Sequence, residues 1–220
     1  MSDSQLSTPE PIPEAESATA PVRKRPKPGE RRVQILQALA TMLEQPGSER
    51  ITTAGLAARL EVSEAALYRH FASKAQMFEG LIEFIEQSVF TLVNQITERE
   101  TAGAAQAAKV VAMLLQFAEK NPGMTRVMVG DALVFENERL QQRMNQFFDK
   151  IEATLKQSLR AGTGTGAAAD GDASATPSAD AQVKASMLTS FAVGRLQRFA
   201  RSGFRRMPSE HLDASLALML

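Results

Sequence analysis

The sequence predicts an all-α protein of about nine helices, and three observations carry that prediction. Beyond residue 30, apolar residues recur at three- and four-residue spacing, the period of a helix face and not of a strand. The chain is 44% hydrophobic with one Tyr and no Trp, a composition that suits helical more than sheet packing. Helix punctuation marks most segments: a hydroxyl cap between two apolar residues, a Pro-Gly break, an Asn-Pro start.

The elements follow in order. Residues 1–29 hold six of the ten prolines and few large apolar groups, so they cannot repay the entropy of ordering and read as a flexible arm. Its first half is acidic, and its second half, "RKRPKPGERR", is basic and runs into Arg31 and Arg32. Val33, Ile35, Leu36, Leu39, Met42 and Leu43 mark the first helix, ended by "QPGS". Ile51 and Leu56 bracket Thr52, and Val62 and Leu67 bracket Ser63, each a hydrophobic staple around an N-cap, so two short helices are expected near 53–60 and 64–70. Ser73 with Gln76 forms a capping box, after which Phe78, Leu81, Ile82, Ile85, Val89, Leu92, Val93 and Ile96 define a helix to about Glu100.

Further helices are expected at about 102–119 and from Asn121-Pro122, with Asn as cap and Pro at the first helical position. Leu140, Met144, Phe147, Ile151 and Leu155 step by four, three, four and four. Residues 136–160 are therefore a long amphipathic helix, either one member of a bundle or a coiled-coil strand. Residues 161–180 are low-complexity and read as a flexible loop; "GTGTG" lacks the register and the preceding strand of a phosphate loop. The last 40 residues read as two helices broken near Met207-Pro208, with Ser209 a cap and the terminal "LALML" covered.

Composition excludes several classes of function. Basic and acidic residues balance at 25 each, so any polyanion binding must come from local clusters. With no Cys and only two His, thiolate chemistry and a His-based metal site are not expected. No activated nucleophile or nucleotide loop can be assembled, so neither an enzyme nor a cofactor is expected. No run of 18 apolar residues appears and the N-terminus is acidic and Pro-rich, so the expectation is no membrane span, no secretory signal and a cytoplasmic location.

The chemistry concentrates in "ITTAGLAARLEVSEAALYRHFASK", residues 51–74. Two short helices with small residues at Ala54, Ala57, Ala65 and Ala66 fit a helix-turn-helix, whose second helix enters the major groove of DNA. Ala65 and Ala66 permit close approach of backbone to DNA. Tyr68, Arg69 and His70 offer a hydroxyl, a charged fork and a ring donor to phosphates or base edges. Lys74 adds a cation at a helix start, Thr52, Thr53 and Ser63 combine capping with phosphate contact, and Arg31 and Arg32 at the basic end of the arm are expected at DNA as well. The alternative is a helical hairpin whose polar residues are solvated.

The stretch from Ile51 to Glu86, "VSEAALYRHFASK" above all, resembles the DNA-binding region of the TetR family of regulators. The resemblance implies a three-helix head (30–72) and a helical body (73–220) that binds partners and forms a homodimer through its last two long helices. Glu61 stands where that family usually has glycine; a left-handed residue there implies about 1 kcal/mol of strain. "MFEGLIEFIE", "NPGMTRVMVGDALVFENERLQQRMNQFFDKIEA" and "RSGFRRMP" extend the resemblance to a nucleoid-occlusion branch of the family. Members of that branch bind palindromic chromosomal DNA and antagonise the tubulin-like division GTPase FtsZ. It implies nucleoid association and an FtsZ-contacting surface on the fourth and fifth helices, carried here by Phe84, Met113, Gln116, Lys120 and Asn121.

The residues themselves give partial support. Phe84 and Phe90 fall well off the core stripe of the fourth helix, on opposite sides, so at least one needs other cover; Phe84 shares its edge with Met77, Ser88, Thr91 and Gln95. Arg195, Arg198, Arg201 and Arg205 form a cationic stripe that is either a solvated face or a site for an anionic partner. A second function class stays open, a repressor whose body encloses a small ligand. The aliphatic body offers little polar equipment for one.

Overall fold

The computed structural model describes residues 29–45, 51–163 and 177–220. The expectations for most of the arm and for the centre of the 161–180 segment lie outside the described residues. Among the described residues nine α-helices and one 3₁₀ turn follow one another: α1 (Glu30–Leu43), α2 (Thr53–Arg59), α3 (Glu64–Tyr68), α4 (Lys74–Arg99), α5 (Gly103–Lys120), α6 (Pro122–Met128), a turn at Asp131–Leu133, α7 (Glu138–Thr163), α8 (Pro177–Arg201) and α9 (Leu212–Met219).

The staples set the head. Ile51 and Leu56 are both buried, as is Leu67, while Thr52 accepts from the Gly55 N–H at 3.1 Å and Ser63 from the Ala66 N–H at 3.3 Å. Each side chain satisfies one of the backbone donors that a helix start leaves open. Ser73 does the same for Gln76, but the return arm of the box differs from expectation: Gln76 accepts from Ala72, not from Ser73. Helix α3 ends at Tyr68, two residues earlier than expected, because the Phe71 and His70 N–H groups both close on Leu67 O before Ser73 starts the next helix. At the turn between α2 and α3, Glu61 has φ 53°, the left-handed conformation that its glycine-like position implied.

Helix α4 leaves the head and returns as α5 through a tight connection. Gln106 donates to Thr97 O and Glu100 O, and Glu100 accepts from Lys109 and from the Ala102 N–H. Those two donors hold the Glu100 carboxyl below its ordinary pKa range. The apolar stripe of α4 is buried from Phe78 to Val93 apart from Leu92, which is 38% exposed. Phe90 finds cover against the Phe147 ring, centroids 5.5 Å apart.

Helix α7 buries Leu140, Met144, Phe147, Ile151 and Leu155 and packs chiefly on α8 and α5, the bundle reading of its heptad-like spacing. An Arg143–Glu86 fork of 2.6 and 3.2 Å ties it to α4 and raises the Arg143 pKa. Three expectations are corrected. The loop read at 161–180 is helical at both described ends, where α7 runs to Thr163 and α8 starts on Pro177. Ser209 does not cap; its N–H and hydroxyl both donate to Glu119, and α9 starts from a left-handed His211. The terminal apolar run is only partly covered, with Leu216 buried and Leu218 90% exposed.

Candidate nucleic-acid interface and partner surface

The head presents the first turn of α3 outward. Ser63, Glu64, Ala65, Tyr68 and Arg69 are exposed and Ala66 is half-buried, while Leu67 points into the core. A short helix is held in this attitude by its single buried leucine, two capped starts and one bond between helices: Thr53 donates to Glu64 at 2.6 Å. The Tyr68 hydroxyl lies 3.5 Å from Thr53 Oγ1, at the limit of a hydrogen bond, so its ring stands across the start of α2. The side chain of Arg69, at the α3 C-cap, makes no ion pair or hydrogen bond among the described residues. Of the expected residues, Thr53 and Tyr68 are thus brought together, with Glu64 beside them.

Of the remaining expected DNA residues, Arg31, Arg32 and Lys74 have partners within the protein, while His70 is exposed. Arg32 donates to His70 O at 2.6 Å and stacks 4.1 Å over the Phe71 ring. It thereby fastens the start of α1 to the end of α3. His70 follows the helix and contributes that carbonyl. Arg31 donates to Gln34 within its own helix. Lys74 pairs with Glu136 at 2.5 Å, in the segment before α7, and is only 27% exposed; it joins head to body. Sequence reasoning missed Glu64, an exposed carboxylate on the first turn of α3 that fits acceptance from a cytosine amino group. Its signal was an acid directly after an N-cap, which reads equally as support for the helix dipole.

The second surface lies on the α4–α5 hairpin. Phe84 is 46% exposed, and Ser88, Thr91, Leu92 and Gln95 continue its side of the helix as exposed or half-buried groups. Met77, expected on the same edge, is 1% exposed because the head covers the first turns of α4. On α5, Gln116 and Lys120 are exposed and Met113 is half-buried against the core. At 1.5 Å per residue, Phe84 stands about 22 Å and Lys120 about 26 Å from the connecting turn, at the same end of the hairpin. Asn121 does not cap α6 as expected. Its Nδ2 donates to Phe117 O at 2.7 Å, closing the end of α5 instead, and Thr125 donates to Ala118 O and Asn121 O.

That end of the body is also where the head rests. Helix α6 packs on α1 with Gly123 so near the backbone that a Cβ added there would sit 1.9 Å from Ala40 O. The candidate partner residues Lys120 and Asn121 are therefore within three positions of a rigid head–body contact. A third exposed feature lies on α8: Val183 and Met187 are 57% and 48% exposed, with small residues Ser186, Ser190 and Gly194 beside them on the same face. No helix among the described residues is long and apolar enough to cross a membrane, and none of their His, Asp or Glu groups forms a cluster suited to a metal ion.

Comparison with known proteins places these features. Residues 35–81 match the model of bacterial regulatory proteins of the tetR family, and residues 103–220 match an SlmA-like model described as the tetracyclin repressor-like C-terminal domain. A nucleoid occlusion factor SlmA from Idiomarina loihiensis is 49% identical over 189 residues, 86% of this chain and 93% of that protein. Its counterpart from Vibrio cholerae is 48% identical over 190 residues, with the same shares. The fold is similar to that of a Bacillus subtilis transcriptional regulator FadR solved with stearoyl-CoA, with TM-score 0.65 and 15% identity, covering 85% of this chain and 96% of that one. It is also similar to PfmR from Thermus thermophilus, with TM-score 0.64 and 19% identity over 85% and 97% of the two chains.

Proposed function

Since the chain belongs to the TetR family and, within it, to the SlmA nucleoid occlusion factors, we propose that it works as a DNA-activated antagonist of FtsZ assembly over the chromosome. Two heads of a homodimer hold the half-sites of a palindromic duplex, with α3 in successive major grooves. Glu64, Ala65 and Ala66 face base edges, Tyr68 and Arg69 reach phosphates, and the capping hydroxyls of Thr52 and Ser63 lie along the backbone. The exposed side of α3 with the unpaired Arg69 is the observation that supports this assignment.

The dimer uses α8 together with α7. Val183 and Met187 from one protomer pack against their symmetry equivalents, and Ser186, Ser190 and Gly194 let the helices approach closely. The FtsZ surface is Phe84 with Met113, Gln116, Lys120 and Asn121. DNA acts on it through the contact of Gly123 with Ala40: duplex binding fixes the attitude of the heads, and each head bears on the start of α6, two residues beyond Asn121. A duplex that selects one head attitude selects one geometry of this surface, which is what coupling between two sites requires.

Substitution Met187→Glu tests the dimer on which the reading depends. Placing two carboxylates across a two-fold apolar contact is expected to shift sedimentation equilibrium to monomer. Affinity for a palindromic duplex then falls at least a hundredfold, because the second head no longer binds at high effective concentration. A dimer with unchanged DNA affinity would move the interface off this face of α8.

A further inference from the structure

Beside the end of α8, the segment Ser202–His211 folds back to enclose a cavity of about 460 Å³ lined by Arg195, Arg198, Arg205, Arg206, Met207, Pro208 and Glu210. Four arginines line it against one carboxylate, Glu210, which is largely exposed and leans toward His211. Like charges on a solvated face spread apart; here they are gathered around one space.

The gathering is built into the backbone. Ser202 Oγ accepts from the N–H groups of Arg205 and Arg206 while donating to Phe199 O, and Arg205 Nε donates to Ser202 O. Phe204 is wedged between the Phe199 ring and the Arg126 guanidinium, 5.2 Å from each. Ser209 is clamped by Glu119. Gly203, Phe204 and His211 all take positive φ, 64°, 63° and 55°. Left-handed non-glycine residues persist only where their surroundings over-determine them, and such strain gathers at binding sites.

One lining group is left incomplete. Arg195 donates through Nε to Pro208 O at 2.9 Å and stacks 5.3 Å from the Phe191 ring, but one terminal nitrogen of its guanidinium is buried without a partner. A buried charged donor with nothing to bond is costly, and a planar fork held at its inner nitrogen is pre-set for a two-oxygen acceptor. The side chains of Arg198 and Arg206 make no hydrogen bond or ion pair among the described residues, so they are free to close on the same acceptor.

We propose that this cavity binds an oligophosphate group, the chemistry shared by nucleoside di- and triphosphates and inorganic polyphosphate. The lining charge of plus three calls for an anion of similar charge with several oxygens, which a single carboxylate or monophosphate does not supply. None of the residues lining it belongs to the DNA face of α3 or to the Phe84 surface.

Isothermal titration of inorganic triphosphate into the full-length protein tests this, without magnesium and at 150 mM salt. The expected result is one site per protomer, binding weakened at least tenfold in the double variant Arg198→Ala/Arg206→Ala, and no change in Arg69→Ala. DNA affinity and melting temperature of the double variant stay as in the parent, and Arg195→Lys weakens triphosphate several-fold because the fork is lost while the charge is kept. Binding retained by the double variant, or lost in Arg69→Ala, would move the site to the head and overturn the proposal. Inorganic monophosphate binding equally well would overturn the oligophosphate assignment. A parallel sedimentation with phosphatidylglycerol vesicles distinguishes the source: Arg198/Arg206-dependent vesicle binding with no response to soluble triphosphate would make this a lipid headgroup contact and overturn a free ligand.

Discussion

Gly123→Ala probes the contact through which the heads act on the body. In the native protein a Cβ at this position falls 1.9 Å from Ala40 O and 2.8 Å from Ala40 C, both backbone atoms in the interior of α1. Real Cβ contacts do not come below 3.0 Å, so α1 and α6 must part by at least about 1.1 Å, because helix backbone cannot yield locally in a close-packed interior. Over the roughly 21 Å length of α1, that displacement at one end is a tilt of about 3° for the whole head. Overpacking of this kind costs about 1 to 3 kcal/mol. Replacing Gly by Ala inside a helix returns about 1 kcal/mol, which leaves a net loss of up to about 2 kcal/mol. For a chain of this size the melting temperature is expected to fall by up to about 8 °C in calorimetry. In fluorescence anisotropy, affinity for the palindromic duplex is expected to fall about tenfold, equivalent to about 1.4 kcal/mol, because both heads are displaced together. Unchanged melting and unchanged DNA affinity would show that the Gly123–Ala40 contact neither supports the fold nor orients the head.

Three other outcomes check separate parts of the account. Glu61→Gly relieves a left-handed residue at the entropic cost of glycine, and is expected to raise stability by up to about 1 kcal/mol, or about 2 to 4 °C in melting temperature; a lower melting temperature would mean that contacts of the Glu61 side chain outweigh the strain. Arg69→Ala is expected to weaken DNA binding and to reduce the slope of log affinity against log salt by about one, with no change in melting; an unaltered slope removes Arg69 from the phosphate contacts. Phe84→Ala truncates a half-exposed ring and is expected to leave DNA affinity intact while reducing the effect on FtsZ at least fivefold in polymer sedimentation; equal loss of both activities would assign Phe84 to folding.

What the sequence disclosed and what it withheld divide along the range of the forces involved. Caps at Thr52, Ser63 and Ser73 were legible because a hydroxyl meets a donor three residues on, and the left-handed turn at Glu61 was legible only through the family resemblance, which implies glycine there. Asn121 was misread because two helices meet there and its amide serves the end of the first, not the start of the second. The start of α8 at Pro177 was hidden in a small-residue run, although Pro at a first helical position is a start signal. Non-local partners left no trace in the local pattern. The local pattern gives Lys74 and Arg32 only as cations suited to DNA, yet Lys74 meets a carboxylate 62 positions away at Glu136 and Arg32 a carbonyl 38 positions away at His70. The approach of Gly123 to Ala40 and the folding of four arginines around one cavity are likewise properties of the packed chain.

The central claim, that DNA-bound protein antagonises FtsZ, is tested most directly by sedimenting FtsZ polymers formed with GTP in the presence of this protein alone, a selected palindromic duplex alone, and both together. The account predicts that polymer in the pellet falls only when protein and duplex are combined, and that a scrambled duplex at the same concentration has no effect. Polymer that is unaffected by the combination, while the duplex remains tightly bound, would contradict it.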